Sequence, residues 1–449
     1  MKQQTPQLVE GPVGKTLIRL TLPMMVGIIG MVAFNLVDTF FVGRLGTLEL
    51  AAMSFTFPVV LVVSSLARGL GVGTSAVISR IVGQGDQQKV RRMTTDALLL
   101  SLIIVIAFVT VGLLTIDPLF RLLGADDSIL PLIKSYMSIW YLGMPFVVIP
   151  MVGNNAIRAT GDTKTPSMIM VCAILVNLVL DPLFIFGPGP FPRWELAGAA
   201  FATAIARATA LVISLIVLGR RERMITAVLP RLRDLWVNWK KVLYLGLPAA
   251  ATYIIIPLST GIITRLISSY GPERVAGFGV ATRVEMFGLT VIMALSTVLI
   301  PFVGQNLGAG KLGRIRTALR LSQLFSLLWG VFLFVIFLIL GKAIAGIFNK
   351  NPEVITATSL YLAVVSLSYG LLGIVELNNA VFNALHKPLP AAAISLLRML
   401  VFYVPLALLG SRLLQLRGIF GAAAIANITS GLISTIWLRR QFSGNRLAK

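Results

Sequence analysis

The chain alternates between long apolar runs and short polar stretches, and this alternation predicts its secondary structure. Each apolar run has about 20 residues or more, the length at which an α-helix crosses the hydrocarbon core of a bilayer. Twelve such runs predict twelve transmembrane helices. The predicted spans are 17–44, 50–79, 94–116, 130–156, 166–188, 196–218, 242–269, 274–304, 318–347, 356–384, 390–414 and 419–438.

The first span carries polar residues that are unusual in a membrane helix. Pro23 lies near its start, and Asn35 and Asp38 lie deep within it. A carboxylate at that depth costs roughly 2.5 kcal/mol or more on insertion scales, so Asp38 is a functional-site candidate by default. Pro23 removes a backbone hydrogen bond and predicts a bend. An ionisable group on a helix that can bend is suited to an ion-coupled switch.

The composition supports a membrane protein. Of the 449 residues, 57% are hydrophobic and 12% are charged, about half the charged fraction of a soluble domain. The net charge of +22 would suit a nucleic-acid partner, but the basic residues concentrate in alternate short loops, which is the positive-inside pattern. We therefore expect a multi-pass protein of the cytoplasmic (inner) membrane, with both termini in the cytoplasm and no nucleic-acid partner. Cys172 is the single cysteine, which excludes an intramolecular disulfide.

The two halves of the chain resemble one another. LTLPMM at 20–25 matches LGLPAA at 245–250, which puts Pro23 and Pro248 225 residues apart. A nearly constant offset relates further pairs: Gly46 and Gly271, Gly83 and Gly308, Pro166 and Pro390, NNA at 154–156 and 378–380, and GAA at 198–200 and 421–423. Six spans per half is an even number, so both halves enter the membrane in the same direction and form a parallel repeat.

This repeat predicts an all-α membrane fold of two six-helix lobes related by a pseudo-two-fold axis along the membrane normal. We expect the lobes at 1–218 and 242–449, with a V-shaped central cavity. The polar stretch 219–241 is predicted to be a cytoplasmic linker between them.

Further polar residues in the first half lie at similar predicted depths. Asp181 lies in the fifth span, Asn177 lies one turn before it, and Thr203 lies in the sixth span. At about 1.5 Å per residue, Asp38, Asp181 and Thr203 each lie about 10 Å from the outer end of their span. Asn154, near the inner end of the fourth span, fits this depth less well.

These residues could form a titratable cluster. Two neighbouring carboxylates cannot both ionise cheaply, so Asp38 and Asp181 would share a proton. The same oxygen atoms also suit Na⁺; its ligands would be Asp38, Asn177, Asp181 and Thr203. The alternative is a polar network that only joins helices. The repeat aligns Asp38 with Ile263 and Asp181 with Pro405, so the acids are not duplicated with the packing residues, which favours a functional role.

The second half has intramembrane charges of its own. Glu285 lies in the eighth span, and Glu376 and Asn379 lie in the tenth. Glu376 either attracts a cationic substrate or couples an ion, or it forms an ion pair with Arg398 of the eleventh span. Arg68 and Arg207 are also embedded, and the sequence does not identify their partners.

Together these motifs resemble the multidrug and toxic compound extrusion (MATE) family, and within it the DinF-like branch. The resemblance covers essentially the whole chain. It rests on the first span with its VDTFFVGRLG, the Asn177-x-x-x-Asp181 pair, Thr203, ATGDTKTP at 159–166 and VGQNLGAGK at 303–311.

The resemblance implies a secondary-active antiporter that exports cationic or amphipathic organic compounds in exchange for H⁺, or for Na⁺. It implies that the first helix bends at Pro23 when the ion site is protonated. The implied ion-coupling residues are Asp38, Asn154, Asn177, Asp181 and Thr203. Phe34 occupies a position where some relatives have tyrosine, so that hydroxyl is missing. We expect no cofactor. We expect a monomer whose substrates are small organic cations. The candidates for substrate contact or second-lobe coupling are Phe34, Asn35, Glu285, Glu376 and Asn379.

Two other functions compete with this interpretation. A flippase for a lipid-linked saccharide on a related fold would need a larger cationic cavity, which the embedded arginines could supply. An intramembrane enzyme is disfavoured, because the chain has no H-E-x-x-H and no P-loop, and its single histidine, His386, lies in a loop.

Overall fold

A computed structural model describes residues 8–43, 45, 47–188, 193–228 and 231–443. Within these ranges the side chains of 33–40, 42, 43, 47–51 and 443 are not described. The described residues are almost wholly helical. The helices are α1 (Val13–Gly43), α2 (Thr47–Gln84), α3 (Gln87–Leu122), α4 (Leu130–Ala159), α5 (Lys164–Phe186), α6 (Glu195–Ile216), α7 (Leu232–Ser268), α8 (Pro272–Gly308), α9 (Leu312–Phe348), α10 (Pro352–Val365), α11 (Tyr369–Ala384), α12 (Pro388–Leu396) and α13 (Val404–Ser443).

Three short irregular segments extend or join these helices. Val217–Arg221 and Leu397–Tyr403 are π-helical, and Ser366–Ser368 is a 3₁₀ turn between α10 and α11. The 3₁₀ turn therefore interrupts the predicted tenth span, and the second π segment lies within the predicted eleventh span. Irregular turns of this kind inside helices often mark functional positions.

The described residues contain eleven continuous helical stretches that are long and apolar enough to cross a membrane. The last of them, Pro388–Phe442, has 55 residues, about twice the number that one crossing needs. Gln415 breaks it with φ 52° and ψ −133°. The Cβ of a residue replacing Gly410 would lie 2.5 Å from the Gly418 carbonyl oxygen, so glycine permits the close return of the chain. This stretch therefore holds the eleventh and twelfth predicted spans.

The chain forms two compact units. Unit 1 contains Leu22–Ala250, and unit 2 contains Leu8–Thr21 together with the residues from Ala251 onward. The divisions lie inside α1 and α7, near Pro23 and Pro248, rather than in the polar stretch 219–241. The predicted lobes 1–218 and 242–449 remain a prediction. Unit 2 includes the beginning of α1, the first helix of the first half, and unit 1 includes the beginning of α7, the first helix of the second half.

Small residues allow the start of α7 to pack in unit 1. The Cβ of a residue replacing Gly69 of α2 would lie 2.6 Å from the Ala250 side chain and would collide with the Gly246 carbonyl oxygen. The LGLPAA motif at 245–250 is thus the surface that α2 packs against. Such close backbone approach between small residues is typical of helix packing in membranes.

Candidate functional site

The fifth and sixth predicted spans bring three polar side chains together in unit 1. Asn177 and Asp181 lie one turn apart on α5, and the side-chain amide of Asn177 donates a hydrogen bond of 2.8 Å to Asp181 Oδ1. The same amide donates at 3.4 Å to the hydroxyl of Thr203 on α6. Asn177 and Asp181 are fully buried. Because a buried carboxylate is costly unless it is neutralised or paired, this cluster can change its charge only together with a bound ion or proton.

Glycine and alanine on α6 position Thr203 against α5. A Cβ at Gly198 would collide with the carbonyl group of Phe184, so only glycine allows the two backbones to approach there. The Trp194 amide donates to the same Phe184 carbonyl at 2.9 Å, and the two rings stack with centroids 5.4 Å apart. The start of α6 is thereby fixed against the end of α5, one turn after Asp181.

Helix α1 also packs against α5 in unit 1. The Cβ of a residue replacing Gly27 would lie 3.1 Å from the Ser167 hydroxyl, and at Gly30 it would lie 2.8 Å from the Ile174 side chain. Pro23 lies inside α1, which is a continuous helix in this structure. The side chains of Phe34, Asn35 and Asp38 lie outside the described residues, so the predicted proximity of Asp38 and Asp181 stays a prediction.

Asn154 does not join the cluster through a described hydrogen bond. Its side chain is buried on α4, and its Oδ1 has no hydrogen-bond partner among the described residues. The role implied for it by the resemblance remains a prediction.

A small cavity lies beside α5 in unit 1. Its volume of about 10 Å³ is about that of one water molecule. Its lining residues are Met31, Met170, Ala173, Ile174 and Arg207.

Unit 2 has a separate polar cluster around Glu285 of α8. Glu285 Oε2 accepts hydrogen bonds from the hydroxyls of Tyr361 at 2.7 Å and Tyr369 at 2.9 Å. The two tyrosines lie on either side of the 3₁₀ turn Ser366–Ser368. The apolar pattern indicated Glu285 as a candidate but did not indicate the tyrosines. Their spacing of eight residues in the tenth span, about two helical turns, could have suggested that they share a face.

The other second-half candidates have partners in unit 2. Arg398 Nη2 lies 3.7 Å from Glu376 Oε1, so the ion pair considered as an alternative for Glu376 is present. Arg398 is buried in the π-helical segment. Asn379 donates to the Ser395 hydroxyl at 3.2 Å. No group of three or more His, Cys, Asp or Glu residues within the described part of the chain could hold a metal ion.

Comparison with known proteins gives concordant matches over both halves. A family model described as MatE matches residues 23–183 and 248–409. The two matches begin at Pro23 and Pro248, the pair that the internal repeat places 225 residues apart. One model therefore matches each half, as the repeat predicts.

Individual relatives extend the match to nearly the whole chain. An FAD transporter of Shewanella oneidensis is 41% identical over 425 residues, which cover 95% of this chain and 94% of that protein. The probable multidrug resistance protein YpnP of Bacillus subtilis is 28% identical over 91% of each chain. The crystal structure of the Vibrio cholerae MATE transporter VcmN in the bent form matches with a TM-score of 0.91 and 30% identity, over 97% of this chain and 98% of that one. These matches confirm the predicted fold class of twelve helices in two lobes.

Proposed function

This chain belongs to the MatE family of membrane transporters, and from that premise we propose that it is a secondary-active efflux antiporter. As a member of this family it is a multi-pass membrane transporter rather than an enzyme, and the family couples transport to ion gradients. The proposal adds the coupling ion, the residues that bind it and the class of substrate. We place the protein in the cytoplasmic membrane as a monomer with cytoplasmic termini.

The observation that carries the proposal is the buried contact of Asn177 with Asp181 and Thr203. A fully buried carboxylate is neutralised by a proton or by a bound cation, and the side-chain oxygens of Asn177 and Thr203 are ligands that suit such a cation. Helical periodicity predicts that Asp38, eleven residues after Gly27, lies on the face of α1 that packs against α5. Asp38 would then share the proton with Asp181.

The proposed cycle couples this proton to the shape of α1. A proton enters from outside and neutralises the Asp38–Asp181 site, and α1 bends at Pro23, where the helix lacks a backbone hydrogen bond. The bend narrows the space beside α1 and releases the substrate outward, and the proton then leaves to the cytoplasm so that the site is free for the next exchange. Coupling requires that proton and substrate stabilise different conformations. Na⁺ bound by the same oxygens would act in the same way.

For the substrate, the first candidate is an amphipathic organic cation. Several relatives, such as YpnP and the Staphylococcus MepA proteins, are named as multidrug resistance or export proteins. Methionine side chains adapt to aromatic partners, and Met31 of α1 and Met170 of α5 lie close together in unit 1.

The second candidate is a flavin nucleotide. The 41% identical relative is named an FAD transporter, and FAD combines a flat aromatic ring with an anionic diphosphate. Arg207 of α6, which lies beside α5 in unit 1, carries the kind of charge that attracts a diphosphate.

Transport from proteoliposomes tests the proposal. Vesicles loaded with ethidium or with FAD are diluted into buffers that impose a pH gradient, a sodium gradient or neither. We expect an acidic exterior to accelerate efflux at least tenfold, and Asp181→Asn to remove that acceleration while the protein remains inserted. Acceleration of efflux by a sodium gradient alone would show that the coupling ion is Na⁺ and not H⁺. Gradient-independent movement of lipid, without efflux of either solute, would favour a flippase instead.

A further inference from the structure

The end of α8, the start of α9 and the loop between them hold the residues that precede α1. VGQNLGAGK at 303–311 contributes to the family resemblance, yet none of its residues belongs to either polar cluster. In unit 2, the side chains of Gln305, Asn306, Lys311 and Arg314 bind the backbone of residues 8–11. We call these four side chains, together with that backbone, the amino-terminal clamp.

Arg314 makes most of the contacts in this clamp. Its guanidinium donates to the carbonyl oxygens of Gly11 at 2.6 Å, Glu10 at 3.0 Å and Leu8 at 3.3 Å. Its Nε donates to Asn306 Oδ1 at 3.0 Å. A planar group with five donors can make these contacts at once, whereas the ammonium group of lysine is a point charge.

The other three side chains of the clamp also bind the backbone of residues 8–11. Gln305 accepts from the Leu8 amide at 3.1 Å, and Asn306 donates to the Leu8 carbonyl at 3.1 Å. Lys311 donates to the Val9 carbonyl at 3.0 Å. Leu8 and Val9 are buried. The clamp therefore binds backbone groups and buries two apolar side chains, which fixes the position of the chain two residues before α1 begins.

The amino-terminal clamp lies before Pro23 in the chain, and this position affects how α1 can bend. Residues 8–21 belong to unit 2, and α1 continues into unit 1 from Leu22. Pro23 thus lies one residue beyond the point where α1 leaves the unit that contains the clamp. A helix that is held by the residues just before it, and that is weakened at a proline, can redirect its remaining length by bending at the proline.

Unit 1 contains a corresponding anchor for α7. Asp96 of α3 accepts from Asn238 at 2.8 Å, and its backbone carbonyl accepts from Trp239 Nε1 at 2.8 Å. Arg92 of α3 donates to the Val228 carbonyl at 2.7 Å. Arg314 and Asp96 both lie on the third helix of their half, so each half holds the start of the other half's first helix, although with different residues.

We propose that Arg314 is a positioning residue for ion-coupled transport, because it holds the start of α1 so that bending at Pro23 moves the part of α1 that carries Asp38. This inference rests on the proposed antiport function. Without the clamp, α1 can respond to ion binding by shifting its free beginning, and the bend is no longer transmitted along the helix. The site would still bind its ligands, but exchange would slow.

Arg314→Gln tests the proposal in the full-length protein in proteoliposomes. The ligand is ethidium or FAD, whichever the wild type transports. We expect its Kd for Arg314→Gln to stay within twofold of the wild-type value and coupled efflux to fall at least tenfold. Arg314→Lys should not restore efflux. Arg320→Gln, an exposed arginine on the same helix, is the matched control and should transport normally. Glu10→Ala should also be normal, because Arg314 binds the Glu10 backbone.

Hydrogen exchange supplies a second readout that does not depend on transport. Amides of residues 13–21 should exchange at least tenfold faster in Arg314→Gln and in Asn306→Ala than in wild type. Normal coupled efflux by Arg314→Gln, an equal loss of binding and efflux, or unchanged exchange at 13–21 would each overturn the inference. A wild-type protein that shows no gradient-driven efflux would instead overturn the proposed function, and the exchange measurement would still test the clamp.

Discussion

The side-chain amide of Asn177 lies between Asp181 and Thr203, 2.8 Å from the carboxylate and 3.4 Å from the hydroxyl. One amide group therefore links two helices at the place where unit 1 buries a carboxylate. Because hydrogen bonds to charged groups are stronger than those between neutral groups, the charge state of Asp181 should affect how firmly α5 and α6 are joined.

The hydroxyl of Thr203 should matter more for transport than a similar hydroxyl nearby on α6. Thr203→Val removes the acceptor for Asn177, and we expect coupled efflux to fall at least fivefold. Thr209→Val is the matched control, since the Thr209 hydroxyl donates to the Ile205 carbonyl of its own helix. Initial efflux rates at equal protein density measure both. Equal rates for the two variants would contradict a role for Thr203 in the cluster.

Gly198 should be intolerant of even a methyl group. Gly198→Ala places Cβ against the Phe184 carbonyl, which separates α6 from α5 and costs about 1–3 kcal/mol by overpacking. Gly421 is its counterpart in the internal repeat, and a Cβ there meets no heavy atom within 4 Å. Gly421→Ala should therefore leave the apparent melting temperature in detergent unchanged, while Gly198→Ala lowers it. Similar melting temperatures would mean that the close approach is not required.

The two tyrosines around Glu285 should act together. Leaving a buried acceptor without its hydrogen bond costs about 1–3 kcal/mol, so Tyr361→Phe and Tyr369→Phe, which each remove a donor to Glu285, should each destabilise the protein. The double variant should lose more than either single variant, because the carboxylate then loses both hydroxyl donors. Tyr270→Phe is the comparison, since Tyr270 bonds the neutral Ser411 at 2.9 Å, and it should cost only about 0.5–1.5 kcal/mol. Thermal unfolding in detergent ranks the four variants; a Tyr270 variant as unstable as the double one would contradict this account.

Asp96 should be far more important for stability than an exposed aspartate on the same helix. Its side chain is fully buried beside Arg92 and Asn238, and losing hydrogen bonds to a charged group costs about 1.5–3 kcal/mol each. Asp117 pairs with Lys134 at 3.0 Å, with both side chains about half exposed, and such pairs contribute about 1 kcal/mol or less. Asp96→Ala should therefore lower the apparent melting temperature several times more than Asp117→Ala. The reverse order would show that the α3 anchor does not hold α7.

Much of the candidate site could be predicted because burial in a bilayer makes polar residues conspicuous. Asn177 and Asp181 share one helical face, and this was readable from their spacing of four. Their contact with Thr203 depends on the close approach of Gly198 to the backbone of Phe184, a contact between two helices that no spacing within one helix predicts. Likewise Glu285 was visible as a charge within an apolar run, but its two tyrosine donors come from another span, on either side of a 3₁₀ turn, and only the packing of the helices brings them to it.

The sequence by itself determined the transmembrane helices, their internal repeat and the carboxylates buried among them, since the thickness of the bilayer and the cost of burying charge act on each helix separately. Only the tertiary structure decided that the beginnings of α1 and α7 belong to different units from the rest of those helices. It also decided which side chains hold these beginnings. Contacts such as that of Arg314 with the backbone of residues 8–11 join segments about 300 residues apart. They depend on the packing of whole helices, which no local pattern of hydrophobic and polar residues encodes.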